Sequence, residues 1–349
     1  MTVTALPGNV RFRAFQLGQQ TTFGTAVAAT RRMPWRFAPT VDPHWTTPDV
    51  DTGTLDPAIS PYRMALDVTG QTTGPLAFDD APALYAALLK GGESAGGSST
   101  GRIWDFDPAS TTADPFEIFT AEWGDEVAAD QWQYQDGIVG QLQLTYPEDL
   151  GPIQHQADWR FATATYPIAG GLTTGLHVEA NPAWAYMADT TVYVDDVAGS
   201  IGISPLLNTV HGMTVTINAN PDVKRFANGS NANFKVQGYG RGARTMETTI
   251  TLAKSTQGIA EAVKWLNANP QERFLSLDTV ARATVPGGST PYRHRLRFAG
   301  YWFTRSEGTV NSNTTMQLVC RHIYDQASGL APIGVYIVNA AATLLPTVP

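Results

Sequence analysis

Cysteine and charge are both scarce in this sequence. Its 349 residues include one cysteine, Cys320, and only 15% of them are Asp, Glu, Lys or Arg. A lone thiol can form neither an intrachain disulfide nor a cysteine-type zinc site, so we interpret Cys320, within TMQLVCRHI, as a small buried hydrophobic residue. The low charge predicts a surface rich in small and uncharged polar side chains, which suits burial in an assembly.

Long apolar runs are also missing. No stretch approaches the roughly 18 residues that a membrane-spanning helix needs, and the N-terminal MTVTALPGNVRFRAFQLG has no apolar signal-peptide core. We therefore expect no membrane partner and assembly in a cytoplasm. The formal net charge of −8 argues against general nucleic-acid binding, which depends on clustered lysine and arginine.

Signatures of catalysis and of cofactor binding are missing as well. There is no G-x-S-x-G, and the six histidines are scattered, with His211 and His294 in segments typical of strands. GYGRGARTM, from Gly238 to Met246, precedes the strand-like METTITLA and lacks G-K-[ST], so it is typical of a hairpin tip rather than a phosphate loop. DFD and VYVDDV lack the calcium-loop pattern. We predict no cofactor and no specific metal.

One pattern that can mark a sugar cleft does occur, namely carboxylates beside tryptophan. The residues concerned are Asp105, Asp107, Asp125 and Glu126, with Trp104 and Trp123 beside them. The same residues are equally typical of solvated loops that flank strands, and a glycosidase needs two carboxyl groups about 5 to 9 Å apart. We predict that the protein is not an enzyme and keep, as the alternative function, a two-domain β-sandwich carbohydrate-binding or adhesin protein.

Period-two alternation dominates what the sequence does contain. In DGIVGQLQLTY, Leu142 and Leu144 share one face, and Gln141, Gln143 and Thr145 share the other. MALDV, HGMTVTINANP, YRHRLRFAGYWF and TTMQLVCRHIY alternate in the same way. Such alternation predicts half-buried antiparallel strands and a mainly β protein.

Two segments carry helix signals. DDAPALYAALLKGG begins with aspartates that can cap a helix, places Leu84 and Leu88 on one stripe, and ends at glycine. KSTQGIAEAVKWLNANP begins with a capping Ser or Thr, has an apolar stripe of Ile259, Val263 and Leu266, and stops at proline.

The order of these elements occurs twice: strand, strand, helix, strand, loop, and a long pair of strands. We interpret this as a structural duplication into two tandem β-sandwich domains, residues 1–170 and 171–349, each with one flanking helix. The boundary falls in TYPIAGGLTTGLHVEANP. The apolar C-terminal GLAPIGVYIVNAAATLLPTVP is expected to pack on its own domain or on a neighbour.

Positive charge is densest in two places. One is QQTTFGTAVAATRRMPWRF, with Arg31, Arg32, Trp35 and Arg36, and the other is the strand with arginines 293, 295 and 297. Because the chain is acidic overall, we favour ion pairs between subunits over phosphate contacts. We predict Arg31, Arg32, Trp35 and Arg36 at a subunit interface, with the small residues up to Thr30 extended along a neighbouring subunit.

Several of these stretches also resemble one protein family. GQQTTFGTAVAATRRMPWRF resembles the N-terminal segment of tail tube (major tail) proteins of long-tailed bacteriophages, which has a loose G-x-x-T-T-F/Y-G-T-A-V-x-A-T form. ALDVTGQTTGPLAFDDAPALYAALLKG is similar to the family's strand–glycine–strand–helix unit. YQDGIVGQLQLTYPEDLG and HGMTVTINANPDVKRFANGSNANFKVQG are similar to two further strands of the family. The pieces are spread over residues 15 to 325.

The resemblance implies a structural virion protein of the phage tail. Such proteins form hexameric rings that stack into a hollow tube, through which DNA passes without specific binding. If this chain contains two copies of the fold, a trimer makes the same pseudo-sixfold ring. The implied architecture is two tail-tube-like sandwich domains that contribute to a ring-shaped β-barrel, with extended N- and C-terminal arms. The implied partners are further copies of the chain and the tape measure, tail terminator and tail tip proteins.

Overall fold

A computed structural model of the chain describes residues 13–47, 61–109, 112, 114–125, 130–226, 235–268, 270–310, 313–325 and 333–346. This part of the chain contains nineteen β-strands and two α-helices, so the predicted mainly β class is confirmed. Seventeen strands belong to one connected hydrogen-bonded network, and the other two form a separate ribbon.

The N-terminal half contains the first ten strands and the first helix. They are β1 (Arg13–Gln20), β2 (Arg31–Met33), β3 (Arg36–Thr46), β4 (Tyr62–Pro75), α1 (Ala81–Leu88), β5 (Gly96–Ser98), β6 (Gly101–Asp105), β7 (Ile118–Asp125), β8 (Gln131–Tyr146), β9 (Gln154–Phe161) and β10 (Thr163–Thr165).

The C-terminal half contains the other nine strands and the second helix. They are β11 (Thr190–Asp195), β12 (Val210–Asn218), β13 (Asp222–Lys224), β14 (Gly238–Gly240), β15 (Thr245–Ala253), α2 (Thr256–Leu266), β16 (Arg273–Thr284), β17 (Pro291–Val310), β18 (Asn313–Ile323) and β19 (Gly334–Asn339). Two short 3-10 turns lie at Met187–Asp189 and Ala198–Ser200.

Six strand pairings of the N-terminal half recur in the C-terminal half. The pairs β1–β7, β3–β4, β4–β9, β7–β8, β8–β9 and β8–β10 correspond to β11–β16, β12–β15, β15–β18, β16–β17, β17–β18 and β17–β19. All are antiparallel, and a helix follows β4 and β15 alike. The repeated order of elements along the sequence is therefore matched by a repeated scheme of strand pairing.

A β-bulge marks the same place in both halves. The register of β8 against β9 shifts between Val139 and Gln141, and the register of β17 against β18 shifts between Trp302 and Thr304. This shared irregularity aligns the halves residue by residue, because the registers of the paired strands then fix every other correspondence. It places Gln143 of β8 in correspondence with Ser306 of β17.

One continuous sheet joins the two halves. Tyr146 to Gln141 of β8 pair with Met213 to Asn218 of β12. The resulting main sheet has the order β3-β4-β9-β8-β12-β15-β18-β17. The described residues form no closed barrel. The division at residue 170 falls between β10 and β11 and stays a prediction, because buried residues of both halves form one hydrophobic cluster.

Two smaller sheets flank the main sheet. The N-flank sheet, β2-β1-β7-β8-β10, uses the first part of β8. The C-flank sheet, β11-β16-β17-β19-β6-β5, uses the first part of β17. The long strands β8 and β17 therefore pass from a flank sheet into the main sheet, and the core lies between the layers. The C-terminal strand β19 packs on its own chain, one of the two outcomes expected for that segment.

The two ends of the stretch QQTTFGTAVAATRRMPWRF pack on their own subunit, and the extension of residues up to Thr30 along a neighbour stays a prediction, since residues 21–25 are exposed. Met33 to Arg31 of β2 pair with Phe15 to Leu17 of β1, and the Thr30 N–H donates to the Leu17 carbonyl at 2.8 Å. Burial of Phe15, Leu17 and Met33 explains this packing. Residues 1–12 of the predicted N-terminal arm lie outside the described residues.

Candidate functional site

Two of the four predicted interface residues, Arg31 and Trp35, are buried inside the subunit. Arg31 is 3% exposed, and its guanidinium donates to Asp80 Oδ1 at 2.7 Å and to the Pro346 carbonyl at 2.9 Å. The Trp35 ring lies 4.8 Å from the ring of His155. An intersubunit role for the four residues stays a prediction, and within that set the accessible members are Arg36, which is exposed, and Arg32, which is half-buried.

The strand arginines find partners within the chain. Arg293 Nε donates to Asp278 Oδ1 at 2.7 Å, and Arg297 Nη2 lies 3.2 Å from Asp107 Oδ2. The guanidinium of Arg295 lies over the ring of Tyr336, 4.9 Å from its centroid. These contacts account for the arginine cluster on β17 without a second subunit or a nucleic acid, in contrast to the intersubunit pairing that we favoured from sequence.

The carboxylates beside tryptophan do not form a sugar cleft. Asp107 is paired with Arg297 at 3.2 Å, and burial, followed by the neighbouring charge of Asp105, raises the pKa of Asp107. Trp104 is 1% exposed, and Asp125 is 2% exposed. Glu126 lies outside the described residues. Of the described tryptophans only Trp45, at 61%, is largely exposed, so the paired exposed tryptophans of the alternative function are not found among them.

The buried histidines are neutral structural groups. His294 lies in β17 and is fully buried, with its Nε2 at 2.8 Å from the Tyr85 hydroxyl. Burial lowers the pKa of His294 and of His155 to about 4, because the charged ring would lose its hydration. No group of three or more metal-ligating side chains occurs among the described residues. No helix in the described part of the chain is long and apolar enough to cross a membrane.

The most extensive candidate surface in the described part of the chain is one face of the main sheet, here called the polar face. Residues that pair directly across antiparallel strands share a face, so the registers define rows of side chains across the sheet. The central row is Arg36, Thr73, Gln156, Gln143, Thr216, Glu247 and Arg321. The rows on either side of it are Gln154, Thr145, Thr214, Thr249, Val319 and Thr304, and Ala38, Gln71, Asp158, Gln141, Asn218 and Thr245.

Amides and hydroxyls dominate the polar face, and its charges balance. The three rows contain two arginines and two carboxylates, Arg36, Arg321, Glu247 and Asp158, and no lysine. Arg321 Nε lies 3.4 Å from Glu247 Oε2, and Gln71 Nε2 donates to Asp158 Oδ1 at 2.9 Å. Such a face stays hydrated but offers little net attraction to a phosphate backbone.

Both edges of the main sheet are open in the described part of the chain. At one end, Thr304 to Val310 of β17 pair only with β18. At the other end, β3 pairs only with β4. Open edges present unpaired backbone donors and acceptors and are templates for pairing with another strand. Sequence patterns do not reveal them, since an edge strand and a central strand alternate alike.

Two prolines weaken the β3 edge. Pro39 and Pro43 correspond in the repeat to Val215 and Ala219, and the Ala219 N–H donates across the half-to-half junction to the Gly140 carbonyl at 2.9 Å. By this correspondence, the backbone nitrogens of Pro39 and Pro43 point away from β4, towards the open edge. Because proline has no N–H, two of the four outward positions from Phe37 to Pro43 lack a donor.

Comparison with known proteins adds no identification. No protein-family model matches the sequence, and no curated protein matches it.

Proposed function

We propose that this chain is the structural subunit of a bacteriophage tail tube. In this proposal three copies close into a ring, the rings stack into a hollow tube in the virion tail, and DNA passes through the lumen without specific contacts. The ring would be built in the host cytoplasm and would meet the tape measure, tail terminator and tail tip proteins at its ends. The subunit would be neither a catalyst nor a cofactor carrier.

The observation that carries this proposal is the relation between the half-to-half junction and the open edges. Inside the chain, β8 of the first half pairs with β12 of the second half. In the repeated pairing scheme β17 corresponds to β8, and β3 corresponds to β12. The open edge strands β17 and β3 are thus the counterparts of β8 and β12, which already pair with each other within the chain. A second copy can repeat the junction head to tail.

The internal junction also specifies a register between copies. Thr216 pairs with Gln143 within the chain, and their counterparts are Thr40 and Ser306. The neighbouring pairs across the proposed junction are Asp42 with Thr304 and Ala38 with Gly308. Like charges do not face each other in these pairs, so the register has no evident repulsion.

Closure of three copies gives a lumen of suitable size and chemistry. Eight main-sheet strands in each copy give 24 strands, and at ~4.8 Å per strand the backbone circumference is about 115 Å and the diameter about 37 Å. Side chains that occupy ~5 Å on each side leave room for a duplex. The polar face would line the lumen, because the flank sheets and helices cover the opposite face. Its balanced charge would limit attraction to DNA.

The prolines of β3 support controlled assembly. An edge strand with all its donors would pair indiscriminately with other chains, and proline on an edge suppresses such pairing. With Pro39 and Pro43 the proposed junction retains only part of its backbone hydrogen bonds. We therefore expect soluble monomers or small oligomers before tube growth begins.

A disulfide between the two open edges tests the proposal. In a Thr40→Cys/Ser306→Cys variant we expect oxidation to link different copies into covalent dimers and trimers, because the two sites lie opposite each other across the junction. The measurement is non-reducing electrophoresis after mild oxidation of concentrated protein. Cys320 is buried, so it adds no background linkage.

The matched control is Gln143→Cys/Thr216→Cys, which places the same pair at the junction inside one chain. It should form a disulfide without any increase in mass. If the control forms its disulfide while Thr40→Cys/Ser306→Cys stays monomeric at assembly concentrations, the head-to-tail junction is refuted.

A further inference from the structure

Helix α2 exposes its apolar side to solvent. Ile259, Val263 and Leu266 form the apolar stripe that the sequence indicates, yet they are 49%, 53% and 70% exposed. Three large apolar side chains on one helix face form a contiguous patch of the kind that marks an interaction surface. We call these three residues the α2 stripe.

The orientation of α2 is fixed by its opposite side. Glu261 is 4% exposed and accepts hydrogen bonds from Arg273 Nε at 2.9 Å and from Trp302 Nε1 at 3.0 Å. Gly258 packs close to the Ala253 carbonyl, where a Cβ would come within 2.3 Å of the oxygen. The helix cannot turn its stripe inward without breaking this buried ion pair, so the described part of the chain leaves the stripe uncovered.

The equivalent helix in the N-terminal half shows what such a cover looks like. All eight residues of α1 are buried, including Leu84 and Leu88, which occupy the same positions after the N-cap as Ile259 and Val263. The C-flank sheet supplies part of this cover: the Tyr85 hydroxyl meets His294 at 2.8 Å, and β19 lies against the helix, which also packs on β8. The flank sheet of the following half thus helps to cover the helix.

The counterpart of that cover on the N-flank sheet runs from Asp130, which corresponds to His294, through Trp132 to Tyr134. Tyr134 of β8 corresponds to Phe298 of β17, since β8 has one extra residue at the Asp136 bulge, where φ is +57°. Trp132 then corresponds to Leu296. By the same registers Tyr166, just after β10, corresponds to Val335, the partner of Leu296 in β19.

The aromatic pair of Trp132 and Tyr166 is accessible in the isolated chain. The Trp132 and Tyr166 rings stack at 4.4 Å between centroids, and Tyr166 is 53% exposed. The apolar stripe and the aromatic pair are therefore two exposed apolar surfaces on elements whose counterparts, α1 and the C-flank sheet, lie against each other within the chain.

We propose that the α2 stripe docks on the Trp132–Tyr166 pair of a second copy of this chain. The inference rests on the proposed head-to-tail arrangement and adds to it a second, apolar contact on the outer side of the ring. This contact would supply hydrophobic stabilisation to a strand junction that the prolines of β3 leave short of hydrogen bonds.

The test compares a Val263→Glu variant with Gln257→Glu, which adds the same charge about 120° away on the same helix. Because both sites are exposed, the melting temperature of each monomer should stay near that of the parent protein. We expect Val263→Glu to raise the protein concentration needed for ring formation by about tenfold or more, whereas Gln257→Glu should change it little. Negative-stain particle counts over a dilution series measure this.

A compensating variant addresses direct contact. Adding Tyr166→Lys to Val263→Glu should restore assembly, because the new charges would face each other. Should Val263→Glu fail to fold, Val263→Cys/Tyr166→Cys replaces it, and an interchain disulfide is expected. Assembly of Val263→Glu at the concentration of Gln257→Glu, or absence of that disulfide in assembled rings, overturns the docking contact alone. A parent protein that never forms rings overturns the docking contact and the proposed function together.

Discussion

Replacing Arg31 with alanine is expected to lower the free energy of unfolding by about 3 to 5 kcal/mol, because it leaves a buried carboxylate without its cation. Arg31 is 3% and Asp80 is 2% exposed, and the guanidinium also pairs with Glu179 at 3.6 Å. Denaturant unfolding followed by tryptophan fluorescence measures the change. A subunit that keeps its stability but loses self-association would show instead that Arg31 acts between subunits.

The destabilisation should depend on pH. Burial raises the pKa of Asp80, and it raises the pKa of neighbouring Asp79 to about 6. A carboxyl whose pKa is raised by folding favours the folded state while it is protonated, and that contribution is lost as pH rises through the folded pKa. Without Arg31 the Asp80 carboxyl is more easily protonated, so the loss should be smaller near pH 4 than above pH 6.

The matched control lies in the same stretch of sequence. Arg36 is exposed, so Arg36→Ala should change the free energy of unfolding by no more than about 0.5 kcal/mol. Adding Asp80→Asn to Arg31→Ala should recover part of the lost stability, since the uncompensated charge is removed. Equal effects of Arg31→Ala and Arg36→Ala would contradict the assignment of Arg31 to the core.

A proline at Glu307 is expected to abolish ring formation while the subunit stays folded. Glu307 corresponds to Leu144, which pairs with Val215 in the internal junction. Because Pro39 corresponds to Val215, Glu307 would face Pro39 of the next copy. Its N–H then supplies the one backbone hydrogen bond that this pair can make. Proline at 307 removes that donor on the open side of β17 and leaves the ladder to β18 intact. Particle counts by electron microscopy and the melting temperature together measure the outcome.

Glu307→Ala separates the backbone from the side chain. It removes ion pairs to Lys254 and Arg305, both at 2.6 Å on the surface, but keeps the N–H. Fully exposed pairs of this kind contribute little because water and salt screen them, so rings should still form. Rings from Glu307→Pro at normal yield would exclude β17 as the assembling edge, and their loss in both variants would point to the side chain instead.

Alternation along the strands could be predicted from sequence because it reports local packing. Leu142 and Leu144 are buried and Gln141 and Gln143 lie on the polar face, as the period-two pattern indicates. METTITLA likewise forms β15, whereas in the preceding GYGRGARTM stretch Gly238–Gly240 form strand β14 rather than the expected hairpin tip. Each of these features depends on neighbours along one strand, so a single sequence contains the signal.

Features that depend on distant partners could not be predicted. The sequence indicates that Arg31 is a surface residue, but the fold brings Asp80 and the Pro346 carbonyl into contact with it. The α2 stripe has the pattern of a core-facing surface, but Glu261 and Arg273 turn it outward. The correspondence of β3 with β12 is likewise invisible in residue identities, since only pairing registers and the shared bulge reveal it.

The number of copies in the assembled ring tests the central claim most directly. Native mass spectrometry of concentrated protein should find particles of three chains of 37.6 kDa, and stacks at multiples of three. Top views by electron microscopy should show six similar lobes around an open centre. Particles of six chains in one ring, or a single chain that never associates, would contradict closure of the main sheet through β17 and β3.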